Sequence, residues 1–332
     1  MDSREERQQP AWLLASGFAP AVLICAGLGW LWVLLGGVCA ALFYIIIVCL
    51  LPAADEDAPV QAAGHGSGRG FGRAALLLEA LWALFAAAGA ASAASRAFPQ
   101  DAGRSFAGPV LLALAVWAVS GPSGTAARCA AVLSGLLALV FAVLLLAAIP
   151  DVRVENLRPR GDPRDAACAF SSMLFPTAAL FVQHRGGKRR PTHLLTAFLA
   201  LLPSAAALLT AGCLSPELAG QSGQPFALLV RSLSLFGVLE RFEPLYSAAL
   251  LLSLFCLCAL FLQAGVSLLQ ELPAFACSGT LPLLLYLPVL AAARAADRFK
   301  PVFWMLGSTV FWGIIPILIL LVVLLKKVRK KE

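Results

Sequence analysis

The chain has 332 residues, of which 60% are hydrophobic and only 13% charged, with a net charge of +7 and a mean hydropathy of +0.86. Soluble domains run nearer half apolar and a quarter charged, so this composition excludes an ordinary soluble fold, whose surface needs more polar cover than the chain possesses. The positive charge does not indicate nucleic acid, because its densest clusters abut apolar runs, where anionic lipid headgroups are the natural partner.

The apolar residues fall into ten runs of spanning character, at 11–27, 29–51, 74–97, 106–120, 127–149, 166–183, 192–213, 244–270, 277–293 and 302–325. A run of about twenty residues at 1.5 Å per residue crosses about 30 Å of hydrocarbon. Alternating ten-residue segments, the mark of a membrane barrel, are absent from the sequence, so the expected fold is an all-α integral membrane protein forming one polytopic domain. The acidic start Asp2-Ser3-Arg4-Glu5-Glu6-Arg7 lacks the basic n-region of a cleavable signal.

In chain order, the first run contains Gly17-Phe18-Ala19-Pro20, and the second opens on Trp30 and carries Gly36-Gly37. A Gly-, Ala- and acid-rich linker at 53–72 follows, with His65 in it, and then the third run, which contains Glu79. A carboxylate in hydrocarbon is costly and faces a cavity or partner unless it reaches the headgroups; Glu79 sits about two turns from the cytoplasmic end, and both readings stand at this point. After the fifth run comes a polar loop at 151–165 with four arginines and four acids. The sixth run holds Ser171-Ser172-Met173-Leu174-Phe175-Pro176. Segment 214–243 is too polar to span, but its middle, 226–239, has helical apolar spacing and is expected to lie at the interface. The eighth run carries Gln263, whose simplest role is a helix–helix hydrogen bond.

Orientation follows from the basic clusters Arg185, Lys188, Arg189, Arg190 and Lys326, Lys327, Arg329, Lys330, Lys331. Four runs separate them, so both face one side, which places both termini in the cytoplasm.

Ten spans divide into five and five, with repeat one at about 11–150 and repeat two at about 166–327. Inverted five-helix repeats are common in secondary transporters, where the first helix of each half is broken near the midplane. Gly17 and Pro20 in the first span, and Ser171, Ser172 and Pro176 in the sixth, stand at matching places for such breaks; a proline kink in a packed helix is the alternative. Catalysis has no foothold: P-loop, GxGxxG, HExxH and GxSxG patterns are all missing from the sequence. The nine cysteines lack CxxC or Cys/His spacing, so no metal or cofactor is expected, and the chain is not read as an enzyme.

Several stretches together resemble the endospore germination permeases, the B-type integral membrane subunit of spore nutrient germinant receptors. They are Gly121-Pro122-Ser123-Gly124-Thr125-Ala126-Ala127-Arg128, Ile149-Pro150-Asp151 with Glu155-Asn156-Leu157-Arg158-Pro159, and Leu229 to Leu245 with its Glu240-Arg241 pair. Trp30 with Leu34-Gly36-Gly37 and the basic ending Lys326 to Lys331 also fit. The resemblance runs in order along nearly the whole chain and rests on that order. It implies the five-plus-five fold of amino acid–polyamine–organocation transporters. It also implies recognition of a small germinant such as an amino acid in the spore inner membrane, together with an A-type membrane subunit and a C-type lipoprotein. Ala169-Phe170-Ser171-Ser172-Met173 departs from the family pattern in lacking a carboxylate. The expected ligand set is Gly17, Pro20, Glu79, Ser171, Ser172 and Gln263, with Glu240 and Arg241 as family markers. An ordinary amino-acid or ion-coupled permease of the same fold is the rival reading.

Overall fold

A computed structural model describes residues 9–50, 69–97, 104–121, 125–158, 161–182, 193–214, 218–219, 222–233, 242–272, 275, 279–296, 298–299, 301–315 and 317–318. All regular structure among them is helical. The helices are α1 (Gln9–Leu23), α2 (Trp30–Leu50), α3 (Arg69–Ala97), α4 (Arg104–Ser120), α5 (Thr125–Ala148), α6 (Pro163–Val182), α7 (His193–Cys213), α8 (Pro225–Ser232), α9 (Glu243–Gln270), α10 (Leu281–Ala296) and α11 (Pro301–Ser308), which continues as a π-helix over Thr309–Ile314. Each of the ten apolar runs overlaps one of these helices, with 319–325 of the tenth outside the described residues, and α8 falls on the start of the segment 226–239.

Three helical stretches, Arg73–Arg96, Arg128–Asp151 and Glu243–Gln270, are long and apolar enough to cross a membrane. Six more apolar stretches are shorter. The distribution of side chains is inverted relative to a soluble protein. On α2 the outward stripe is Leu31, Leu35, Val38, Leu42 and Ile46, all exposed, at the three- and four-residue steps of one helix face. On α3 the inward positions Ala80, Ala83, Ala87, Ala91 and Ala94 are fully buried. Leucine outside and alanine inside suits lipid: tails are as apolar as leucine, so helices cohere by close approach of small residues. The architecture is that of a helical membrane protein.

The centre of the bundle is α9 against α3, in antiparallel register, with the Cys258 thiol 3.6 Å from the Ala87 carbonyl. α9 also packs on α1, α4, α5 and α6. Around it α1 packs on α5, α6 and α7, α2 on α6 and α7, α10 on α3 and α4, and α11 on α6. Aromatic rings join α11 to α3: Trp304 stacks on Phe85 at 5.0 Å and Phe311 on Trp82 at 4.9 Å.

The connector between α5 and α6 is folded back onto the bundle. Trp30 Nε1 donates to the Leu157 carbonyl at 3.1 Å, and Trp32 Nε1 donates to the Gly161 carbonyl at 3.1 Å. Asn156 Nδ2 and the Arg153 N–H both donate to the Gly212 carbonyl at the end of α7, at 3.1 and 3.0 Å. Asp165 accepts from the Gly29 N–H at 3.0 Å. Gly161 turns with φ of +104°, in the region that favours glycine. Trp30 and Asn156, which also carry the family resemblance, thus have a plain structural role in pinning this loop to the bundle.

α8 is amphipathic, burying Pro225, Phe226, Leu229 and Val230 and exposing Arg231. It ends at Ser232, earlier than the expected 226–239, because Leu233 takes an extended backbone and its N–H closes the helix on the Val230 carbonyl. The family markers Glu240 and Arg241 lie outside the described residues. On either side of that gap Arg231 pairs with Glu243 at 3.2 Å, both half exposed, so the pair contributes little.

Candidate functional site

Backbone polarity is opened beside a proline in two helices: the Gly108 N–H, next to Pro109 of α4, donates to Ser95 Oγ at 3.2 Å, and the more deeply buried case is in α1. Proline lacks an N–H, and its ring collides with the carbonyl four residues earlier, so Pro20 disturbs the ladder over residues 15–20. The repair comes from α9. The Ala19 N–H donates to Ser253 Oγ at 2.9 Å, and the Ser253 hydroxyl donates to the Ala15 carbonyl at 2.6 Å. A foreign hydroxyl therefore stands between the donor and acceptor that an undisturbed helix would pair directly. Serine side chains satisfy backbone groups in this way where membrane helices are interrupted. Gly17, Pro20 and Ser253 are all buried at this point.

α1 does not unwind at Gly17-Phe18-Ala19-Pro20. It stays helical to Leu23, and the Ile24 N–H still reaches the Pro20 carbonyl at 3.0 Å. The chain leaves the α-helix only beyond that, in a 3-10 turn at Cys25–Gly27. The expected break in the sixth span is absent: α6 runs unbroken through Ser171-Ser172-Met173-Leu174-Phe175-Pro176 to Val182. Ser171 and Ser172 turn their hydroxyls onto their own helix, donating to the carbonyls of Cys168 at 3.0 Å and Ala169 at 2.9 Å. Hydroxyls used that way are spent locally and leave the helix intact.

Ser172 nonetheless meets α1's turn, with its Oγ 3.2 Å from Cys25 Sγ. Ser172 therefore meets the turn that follows α1, at Cys25, while Gly17 and Pro20 lie further back on α1, where Ser253 of α9 serves it; α1, α6 and α9 pack on one another. Glu79 and Gln263 fall elsewhere. Glu79 is 2% exposed, enclosed by neighbouring helices, and α3 packs chiefly on α4, α9, α10 and, through its rings, α11. Gln263 lies two residues from Phe261, hence on the other side of α9 from the face Phe261 turns to Trp312. Its Oε1 has no hydrogen-bond partner.

A cavity of about 120 Å³ lies between α1, α5 and α7, lined by Phe18, Ser134, Leu137, Phe141, Leu145 and Leu202. Its one hydroxyl, on Ser134, is engaged with the Ala131 carbonyl at 2.8 Å, so the walls offer an apolar guest only. Phe18 stands edge-on to Phe141 at 5.9 Å in the wall of this space. Among the described residues no three His, Cys, Asp or Glu side chains converge as a metal ion would need.

Sequence reasoning missed Ser253. It is the lone hydroxyl in the apolar stretch Leu250 to Phe261 of α9, and its placement opposite Pro20 depends on the packing of two helices 234 residues apart in sequence. No protein-family model matches the chain, and no curated protein matches it in sequence.

Proposed function

We propose that the chain is a permease-like, non-enzymatic membrane protein that binds a small polar molecule such as an amino acid. In this reading it is the B-type subunit of a spore nutrient germinant receptor, working with an A-type membrane subunit and a C-type lipoprotein in the spore inner membrane, both termini cytoplasmic. In the same reading the ten apolar helices other than α8 span the membrane, as two five-helix repeats.

Packing supports the repeat. Match α1 with α6, α2 with α7, α3 with α9, α4 with α10 and α5 with α11. The exchange then turns α2–α6 into α7–α1, α3–α10 into α9–α4, and α1–α5 into α6–α11, all of them packed pairs. It turns α5–α9 into α11–α3, joined by the Trp82–Phe311 stack. The pairs it leaves in place, α1–α6, α2–α7, α3–α9 and α4–α10, are packed as well. The exchange is incomplete: α9 leans on both α1 and α6, whereas among the described residues α3 has no comparable packing on them, and α4–α5 and α5–α7 map onto α10–α11 and α11–α2, which are not comparably packed. Five crossings per repeat, an odd number, make the repeats inverted.

The observation that carries the reading is the bridged opening in α1. A ligand carboxylate takes the place of the Ser253 hydroxyl at the Ala19 N–H, and the Ala15 carbonyl is left for the ligand's ammonium group. Binding then shifts an existing equilibrium between two packings of α1 on α9, and the partner subunits read that shift. Deleting the gene and scoring spores on a panel of nutrients tests this: loss of response to one nutrient class is expected, and unchanged germination on every nutrient overturns it. Purified protein in proteoliposomes tests the rival. Robust accumulation of an amino acid without partner subunits would make the chain an ordinary secondary transporter.

A further inference from the structure

Three buried polar atoms without a hydrogen-bond partner stand on neighbouring turns of the packed helices α3 and α11: Glu79 Oε1, Trp82 Nε1 and Trp312 Nε1. The placement follows from the ring stacks. Trp304 stacks on Phe85 and Phe311 on Trp82, so α11 ascends as α3 descends. Glu79 is the next turn of α3 beyond that second stack, and Trp312 is the next residue of α11. The third wall is α9. Phe261 stacks on Trp312 at 5.9 Å, and one turn later Gly265 approaches so closely that a Cβ there would stand 3.3 Å from the carbonyl of Ala80, Glu79's neighbour. Gly307 packs directly under the Trp82 ring.

An orphaned donor or acceptor in a bilayer interior costs several kcal/mol, and here an acceptor and two donors are orphaned together. Among the described residues no counter-charge faces them. The described parts of α9 and α11 carry no Lys, Arg or His, and their other titratable groups are Glu243, Tyr246, Cys256 and Cys258. Cys258 is two turns away against Ala87. On α10, Arg294 is exposed near the C-terminal end, with Tyr286 two turns before it, and on α4 only Arg104 is ionisable. Arg73, on α3 itself, is exposed six residues before Glu79.

We propose that Glu79, Trp82 and Trp312 form a hydrated proton-binding site at the junction of α3, α9 and α11. Internal water accepts from the two indole N–H groups and hydrogen-bonds to the carboxyl group of Glu79, which holds a proton. Release hands that proton to the water as hydronium and leaves Glu79 as the carboxylate. The site is separate from the opening at Ser253 and stands whether or not the receptor reading does.

Infrared spectroscopy of the purified full-length chain in lipid nanodiscs tests the proposal, by difference between the wild type and Glu79→Gln, which keeps the side chain's shape. A protonated-carboxyl stretch at neutral pH that Glu79→Gln removes is expected. It should shift on transfer to D2O, and shift again in Trp82→Phe and in Trp312→Phe, which keep the ring stacks. No difference in the carboxyl region between wild type and Glu79→Gln overturns proton binding. A band that D2O leaves in place after prolonged exchange overturns the water, and a band blind to both tryptophan substitutions overturns the indole contacts.

Discussion

Replacing Gly36 by alanine should lower the thermal stability of the purified protein by several degrees, and replacing it by valine should prevent accumulation of folded protein. Gly36 faces α6 across the α2–α6 contact. A Cβ there would collide with the Ala166 carbonyl and stand 2.9 Å from the Ala169 Cβ and 3.0 Å from the Phe170 N. Two of those atoms are backbone of a continuous helix, so neither can swing aside. Forcing extra methyl groups into a packed interior costs roughly 1–3 kcal/mol, and more where the backbone must move. The matched control is Gly135→Ala on α5, where nothing lies within 4 Å of the added Cβ. That change should be neutral or gain up to about 1 kcal/mol from helix propensity. The readout is the midpoint of loss of the monodisperse size-exclusion peak on heating in detergent. Equal midpoints for Gly36→Ala and Gly135→Ala would sink the close contact between α2 and α6.

Ser253 carries the second large effect. Ser253→Ala removes the hydroxyl that serves the Ala19 N–H and the Ala15 carbonyl. Leaving buried groups unserved costs about 1–3 kcal/mol each, unless α1 closes and pairs them directly. Ser253→Thr restores the hydroxyl and should restore stability. Ser253→Val matches threonine's shape without the donor and should behave as alanine or worse. If the site binds ligand as proposed, alanine and valine should also shift the nutrient dose needed for germination, while threonine should not. Identical stability and dose response across all three would show that α1 needs no help at Pro20.

The helices are legible in the sequence because length and apolarity decide them. The run at 244–270 matches Glu243–Gln270 almost residue for residue, and 192–213 matches His193–Cys213. The linear chain says less about what a proline does inside a helix. Pro20 and Pro176 read alike as possible breaks, yet α1 needs a hydroxyl from α9 to pass Pro20, and α6 passes Pro176 unbroken. Which outcome follows depends on what the neighbouring helix presents, and no local pattern encodes that. The same limit scatters the candidate residues. Ser172 meets the turn beyond α1 and Ser253 serves α1 at Pro20, whereas Glu79 and Gln263 lie on faces fixed by packing partners far away in the chain. Glu79 stands out in the sequence as an oddity in hydrocarbon; its companions Trp82 and Trp312 look like ordinary apolar residues until the structure shows their N–H groups unspent.

The leucine-out, alanine-in arrangement sets how this protein can change over evolutionary time. In a soluble protein the bulky interior is the conservative part and the surface drifts. Here the outward stripe of Leu31, Leu35, Val38, Leu42 and Ile46 is exposed, and in a bilayer it would face hydrocarbon tails, which accept any apolar shape. Ala80, Ala83, Ala87 and Ala91 are fully buried in the packed interior, where added carbons have to displace their neighbours. Divergent copies of this chain would keep their smallest residues and trade their largest ones freely, so that relatives would be recognised by the spacing of alanine and glycine.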